Sequence, residues 1–368
     1  MNSLSAARPV RGAAAADQPP PISLMIVDDS PIARAVLSRM LSAYSEFQIV
    51  ALAANAAEAL EALQTVKVDI VLLDIEMPGT SGLDALPEIL RKGRGARVLI
   101  VSSLCEDRAE ATVKALALGA ADTLPKPGTG NFGGRFSEVL AERLRRIGAT
   151  PLRSAPAAAP EPSSVQLRPM SAGPAGCLAL GASTGGLHAL GDFLKALPDK
   201  VGVPILVTQH LPALFMPFFA RQLEAACGRT AQVAEDGMLL RAEEIHIAPG
   251  DAHLCLRRDH RGVAVRLCRA PASSGCLPSV DSMFWSVSET YGSGGLGFVF
   301  SGMGRDGLVG SARIVDRGGS VLVQDQQSSA VWGMPRAVAE AGLASAVLTP
   351  PELARRVGGR ATGAAAWR

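Results

Sequence analysis

Ser183 stands in "GASTGG", residues 181–186, directly behind the apolar run "CLAL". A glycine-rich turn between a strand and a helix can cradle a phosphate or raise a nucleophile. The dinucleotide fingerprint G-x-G-x-x-G is not kept, and the next apolar run, "PILVTQH", ends in histidine instead of the acid that a dinucleotide ribose needs. No Gly-Lys-Ser/Thr follows, which excludes a P-loop. The letters do fit G-x-S-x-G, the pattern of a tight turn that exposes a serine. A serine hydroxyl attacks only when a base takes its proton and a third group orients that base. His210 closes "PILVTQH", and Asp306 lies in the glycine-rich "SGMGRDG" after the apolar "LGFVF". The three would meet at neighbouring strand ends in chain order Ser, His, Asp, which differs from the order of α/β-hydrolases. His188 falls inside a helical pattern, His246 in the alternating "IHIAP", and His253 and His260 in a hairpin-like region, so none competes well as the base.

A second constellation lies near the start of the chain. Asp28 and Asp29 end the first apolar run, Asp74 the third, Ser102 the fourth and Lys126 the fifth. In a doubly wound sheet ligands sit outside the carboxyl ends of the strands, so three carboxylates, a hydroxyl and an ammonium would share one crevice. Three clustered carboxylates need a cation among them, and oxygen ligands suit Mg²⁺. The cation and the lysine would neutralise a phosphoryl group transferred to a carboxylate.

The elements that must position these residues follow from the alternation of apolar runs with helical patterns. "LMIVDD" is a strand, followed by Ser30-Pro31, an N-cap with proline at the first helical position. "QIVALAA" is a second strand, and Asn55 with Glu58 forms a capping box opening the next helix. "VDIVLLD", "RVLIVSS" and "TLPKP" complete five strands, which predicts a parallel doubly wound α/β domain over 23–145. Residues 1–22 read as a disordered tail without an apolar signal segment. Residues 146–176, rich in Pro, Ala and Ser, read as a linker. Alternation then resumes over 177–368 with "CLALGAS", "VPILVTQH", "LGFVF" and "SVLVQD". "IHIAPG", "HLCLRRD" and "VAVRLCR" are expected as an antiparallel insertion or edge.

"VDDS", "VLLDIEMPGTSGLD", "VSS" and "KP" resemble the receiver domain of two-component response regulators. The resemblance implies a flavodoxin-like fold in which Asp74 accepts phosphate from a histidine kinase. It also implies that Asp28, Asp29 and Asp74 hold Mg²⁺ with the backbone carbonyl of Glu76, and that Ser102 and Lys126 contact the phosphoryl oxygens. Thr123 stands where many receivers carry an aromatic residue. "GASTGG", "VTQHLP", "IAPGDAHL", "PSVDSMF", "SGMGRDG" and "QDQQSSAVWGMPRAV" resemble the catalytic domain of the CheB family, chemotaxis protein-glutamate methylesterases and glutamine deamidases. The resemblance implies Ser183 as nucleophile, His210 as general base and Asp306 as its orienting partner, with backbone amides near Thr184 and Met303 lining the oxyanion site. Leu277 and Arg305 replace an arginine and an asparagine common in that family. The implied partners are a histidine kinase of the CheA type and the cytoplasmic helices of methyl-accepting chemoreceptors; no cofactor is implied for the esterase domain.

The bulk properties agree with such a protein. A length of 368 residues suggests two cores. A formal charge of +2 offers no field for nucleic acid or anionic membrane, and no apolar run reaches the roughly 20 residues of a membrane span. The cysteines at 105, 177, 227, 255, 268 and 276 form no C-x-x-C pair and read as reduced thiols of a cytoplasmic protein. Two other outputs are weighed: a phosphorylation-gated adaptor whose second domain binds without catalysis, and a transcription factor, for which a basic helix cluster is missing.

Overall fold

The computed structural model describes residues 20–103, 106–126, 134–148 and 166–358. Most of the tail expected at 1–22, the middle of the expected linker and Cys105 lie outside them. The first domain runs β1 (Ile22–Val27), α1 (Pro31–Leu41), β2 (Phe47–Ala53), α2 (Ala56–Thr65), β3 (Ile70–Leu73), α3 (Gly82–Lys92), β4 (Arg97–Ser103), α4 (Glu106–Ala117), β5 (Asp122–Lys126) and α5 (Gly134–Gly148). Its sheet is parallel in the order β2-β1-β3-β4-β5, so the chain changes direction across the sheet at β1 and β3. Leu24 to Val27 and Ile70 to Leu73 are buried almost completely, as expected of strands covered by helices on both faces. The caps form as the sequence predicts. Ser30 Oγ accepts the Ala33 amide ahead of Pro31, and Asn55 Oδ1 accepts the Glu58 amide while Glu58 reaches back to the Ala54 amide.

The second domain runs β6 (Cys177–Ala182), α6 (Gly186–Ala196), β7 (Ile205–Gln209), α7 (Met216–Cys227), β8 (Ala231–Val233), β9 (Ile245–Ile247), β10 (His253–Asp259), β11 (Gly262–Cys268), α8 (Val280–Tyr291), β12 (Gly295–Val299), α9 (Leu308–Asp316), β13 (Ser320–Gln324), α10 (Met334–Glu340), β14 (Ala344–Leu348) and α11 (Pro350–Gly358). Seven parallel strands lie in the order β14-β13-β12-β6-β7-β9-β8. The switch point falls between β6 and β12, where a ligand crevice is expected. Phe193 on α6 locks against Phe298 and Phe300, with ring centroids 4.9 and 5.2 Å away.

Two expectations need correction. "IHIAPG" is not part of the antiparallel insertion: β9 pairs in parallel with β7 and β8, and only β10 and β11 form a hairpin. Three alternating apolar residues carry no signal that separates the two pairings, and tertiary packing decides. The expected linker 146–176 is also too long. Helix α5 continues to Gly148, and residues 166–176 run along the second domain, where the Arg168, Ser171 and Gly176 amides bond Ala344, Ser320 and Gly294.

Candidate active site

Ser183 follows β6 directly, and its amide donates to the Ser301 carbonyl at 3.0 Å, which ties the turn to the loop after β12. The Gln209 side-chain amide and the Gly186 amide both bond the Ser183 carbonyl, at 2.8 Å each. Two glycines are required by this geometry. Gly185 caps α6 at φ +73°, where a Cβ would also come within 2.4 Å of the Ala330 Cβ. A Cβ at Gly302 would come within 2.9 Å of the Ser183 Cβ.

His210 follows β7, and its amide bonds the Ala182 carbonyl at 3.3 Å, so it stands beside the serine turn. Asp306, 2% exposed, follows β12. His210 Nε2 and Asp306 Oδ2 are 2.8 Å apart. A carboxylate only accepts, so Nε2 carries a proton and Nδ1 remains the nitrogen that can take one. Burial pushes the His210 imidazolium down, but the bond to Asp306 and the adjacent Cys276 thiol outweigh it and carry the group up to about 9. Burial opposes the Asp306 charge, yet His210 and the amides of Val280 and Asp281 hold the carboxyl well below its usual range. Its neighbour Asp281 is pushed up to about 6, by burial first and by the Asp306 charge after the opposing Gly310 amide. Among the described residues no hydrogen bond joins Ser183 to His210; both line one cleft of about 390 Å³.

Residues of the first domain form the other wall of that cleft. Asp122, Glu138, Glu142, Arg143 and Arg146 face Ser183, Thr184, His210 and Met303 across it. Thr184 Oγ1 donates to Asp122 Oδ2 at 3.0 Å, and Arg143 donates to the same oxygen at 2.6 Å. The Gly185 amide, at the open end of α6, donates to the Ala121 carbonyl at 2.6 Å. Arg146 touches the Met303 sulfur, and His188 Nδ1 lies 3.0 Å from the Ala117 carbonyl. The amides of Thr184 and Met303 have no hydrogen-bond partner among the described residues.

At the far end of β5, Lys126 Nζ bridges Asp28 Oδ2 at 2.7 Å and Asp74 Oδ2 at 2.6 Å. Asp28 and Asp74 are buried and Asp29 is exposed, and one oxygen of each lies within 4.8 Å of the others. That donor set, all hard carboxylate oxygens, fits a divalent cation of the Mg²⁺ type. Burial raises the Asp74 carboxyl more than Lys126 draws it down. The Glu76 amide donates to Asp74 Oδ1 at 3.4 Å. Ser102 is buried at the end of β4, and Thr123 is buried on β5, where its carbonyl accepts from Arg143.

The sequence motifs thus come together as two clusters. Sequence reasoning did not assign Asp122, Arg143 and Arg146, which act across the domain boundary, or Ser279 and His253, which stand behind Asp306. For Ser279 a signal was present: a serine two residues before an acid at a helix start is an N-cap pattern.

Fold and clusters define a receiver domain joined to a doubly wound domain of hydrolytic type. The response regulator receiver domain profile matches residues 24–131, and the CheB methylesterase profile matches residues 178–357. Protein-glutamate methylesterase/protein-glutamine glutaminase 2 of Caulobacter vibrioides is 40% identical over 346 residues, covering 93% of this chain and 99% of that protein. Protein-glutamate methylesterase/protein-glutamine glutaminase 1 of Paramagnetospirillum magneticum is 37% identical over 370 residues, covering 92% and 97%. Among solved structures, the Thermotoga maritima CheB methylesterase catalytic domain aligns at 32% identity and a TM-score of 0.49, covering 50% of this chain and 97% of that one. The chain belongs to the CheB methylesterase family.

Proposed function

We propose that this protein is a phosphorylation-controlled serine hydrolase that cleaves glutamate methyl esters on chemoreceptors, releasing methanol, and converts particular receptor glutamines to glutamate. The observation that carries the reading is the His210–Asp306 bond of 2.8 Å in the cleft that holds Ser183. Ser183 Oγ attacks the ester carbonyl carbon while His210 Nδ1 takes its proton. The carbonyl oxygen gains the negative charge, and the amides of Thr184 and Met303 are the donors for it. His210 returns the proton to the methoxy group, which leaves as methanol. Water, deprotonated by His210, then attacks the acyl-serine; the C–O bond to Ser183 breaks, the proton returns to its oxygen, and the carboxylate is free. With an amide substrate, ammonia leaves instead.

Control enters at Asp74, whose oxygen attacks the phosphorus of a kinase phosphohistidine as the P–N bond breaks. A divalent cation held by Asp28, Asp29 and Asp74, with the Glu76 carbonyl, neutralises charge in this pocket when bound. Ser102 and Lys126 are the contacts for the phosphoryl oxygens. We assign the kinase to the CheA type, the substrate to the cytoplasmic receptor helices, and the site of action to the cytoplasm. No described helix is long and apolar enough to cross a membrane. The five described cysteines are free thiols, which suits a reducing compartment. In the unphosphorylated chain the receiver occludes Ser183. Replacing Ser183 with Ala is expected to abolish methanol release from methylated receptors; a variant that still releases methanol would overturn the triad.

A further inference from the structure

Behind Asp306 stands a second buried histidine that the triad does not use. His253, at the start of β10, is 1% exposed. Its Nε2 lies 2.8 Å from the Ala270 carbonyl, which only accepts, so Nε2 carries the ring proton. Nδ1 therefore presents a lone pair, and it accepts the Ser279 amide at 2.9 Å. Ser279 is the N-cap of α8 and is fully buried. Its Oγ accepts from Ser274 Oγ at 3.3 Å and from the Ser282 amide at 3.4 Å, so its own proton goes to Asp306 Oδ1, 2.9 Å away. The next two amides, of Val280 and Asp281, bond the same carboxylate at 2.7 and 3.1 Å. The Ser279 amide lies outside the helix's own ladder and needs an acceptor where it is buried. His253 supplies that acceptor, and with it fixes the first turn that grips Asp306.

We propose that His253 is a positioning residue for the esterase reaction. Its Nδ1 lone pair sets Ser279 and the α8 terminus, these set the Asp306 carboxylate, and Asp306 sets the tautomer and aim of His210. The proposal rests on the triad reading above and adds to it a residue that never touches substrate.

The test uses the full-length chain activated with a phosphodonor, with methanol release from methylated receptors followed against pH. His253→Leu removes the acceptor; His253→Asn keeps an oxygen near the place of Nδ1. The leucine variant is expected to lose kcat by roughly 10- to 100-fold, the scale of a misplacement of about 1 Å in a catalytic constellation, with KM unchanged. Its acid limb is expected to move to lower pH, because a loosened Asp306 supports the His210 imidazolium less. The asparagine variant is expected to recover most of kcat and the original limb. A leucine variant with wild-type kcat and limb, a loss shared by KM with the limb unmoved, or an asparagine variant no better than leucine overturns the proposal. Should the leucine variant not fold, Ser279→Ala is measured by the same criteria: a shifted limb supports the relay and an unmoved one overturns it. Ser183→Ala is run alongside. If it keeps turnover, the triad reading itself fails; if it is inactive while His253→Leu is normal, only the role of His253 falls.

Discussion

Five donors converge on the Asp306 carboxylate: His210 Nε2, Ser279 Oγ and the amides of Val280, Asp281 and Gly307. They keep a buried acid ionised, and the ionised acid keeps a buried imidazolium protonated up to about pH 9. The sign of the consequence is fixed. His210 has a folded-state pKa above its unfolded value near 6.5, so the stability it contributes is complete below pH 6.5 and is lost as pH rises through about 9. On the proposed triad reading catalysis runs the other way, because His210 as base must be neutral; kcat/KM of the unphosphorylated chain is expected to climb with pH until about 9. Asp306→Asn removes the larger of the supports that oppose burial and leaves the Cys276 thiol as the other. The acid limb is then expected to move down from about 9 while kcat drops on the order of 10⁴-fold, as removal of an orienting carboxylate does elsewhere. A pH–rate profile of the two proteins checks both statements, and an unmoved limb in the asparagine variant would contradict them.

At the scale of elements, strand ends carry the candidate site residues, and this is why their placement was legible. Asp28, Asp74, Ser102 and Lys126, and likewise Ser183 and His210, each terminate an apolar run or follow it at once, and in a parallel sheet such positions share one edge. Asp306 was legible for the same reason, through the loop after β12. What stayed hidden depends on contacts that no local pattern encodes. The β9 pairing was misread because three residues alternate identically in either direction. His253 and Ser279 meet across 26 residues, from a hairpin strand and a helix start. Asp122 reads as an ordinary polar residue after an apolar segment, yet its carboxylate holds Thr184 of the other domain. Under the proposed control by phosphorylation, that bond makes β5 a latch of the receiver over the cleft. Asp122→Ala is expected to raise methanol release by the unphosphorylated chain about tenfold, the population shift carried by one charge-assisted hydrogen bond of roughly 1.5 kcal/mol. An unchanged basal rate would show that the latch lies elsewhere.

At the scale of the whole molecule, one strand joins the two clusters. β5 begins at Asp122, bonded to Thr184 beside Ser183, and ends at Lys126, bonded to Asp28 and Asp74. On the proposed reading, a phosphoryl group on Asp74 would compete for Lys126, and β5 would carry the effect to the end that covers the esterase cleft. The Ala121 carbonyl on the Gly185 amide and Arg146 on the Met303 sulfur belong to the same cover. Activation by a phosphodonor is expected to be on the order of 10- to 100-fold, which needs roughly 1.4 to 2.8 kcal/mol of difference between closed and open states. Asp74→Asn cannot form the acyl phosphate and is expected to lose that stimulation, and chelation of divalent cations is expected to abolish it in the wild type. The order of events is tested by combining changes. If Asp122 acts downstream of Asp74, the double variant Asp74→Asn/Asp122→Ala keeps the raised basal rate of Asp122→Ala and no longer responds to phosphodonor. A double variant that returns to the wild-type basal rate would place the latch upstream of the phosphate pocket and break the proposed route along β5.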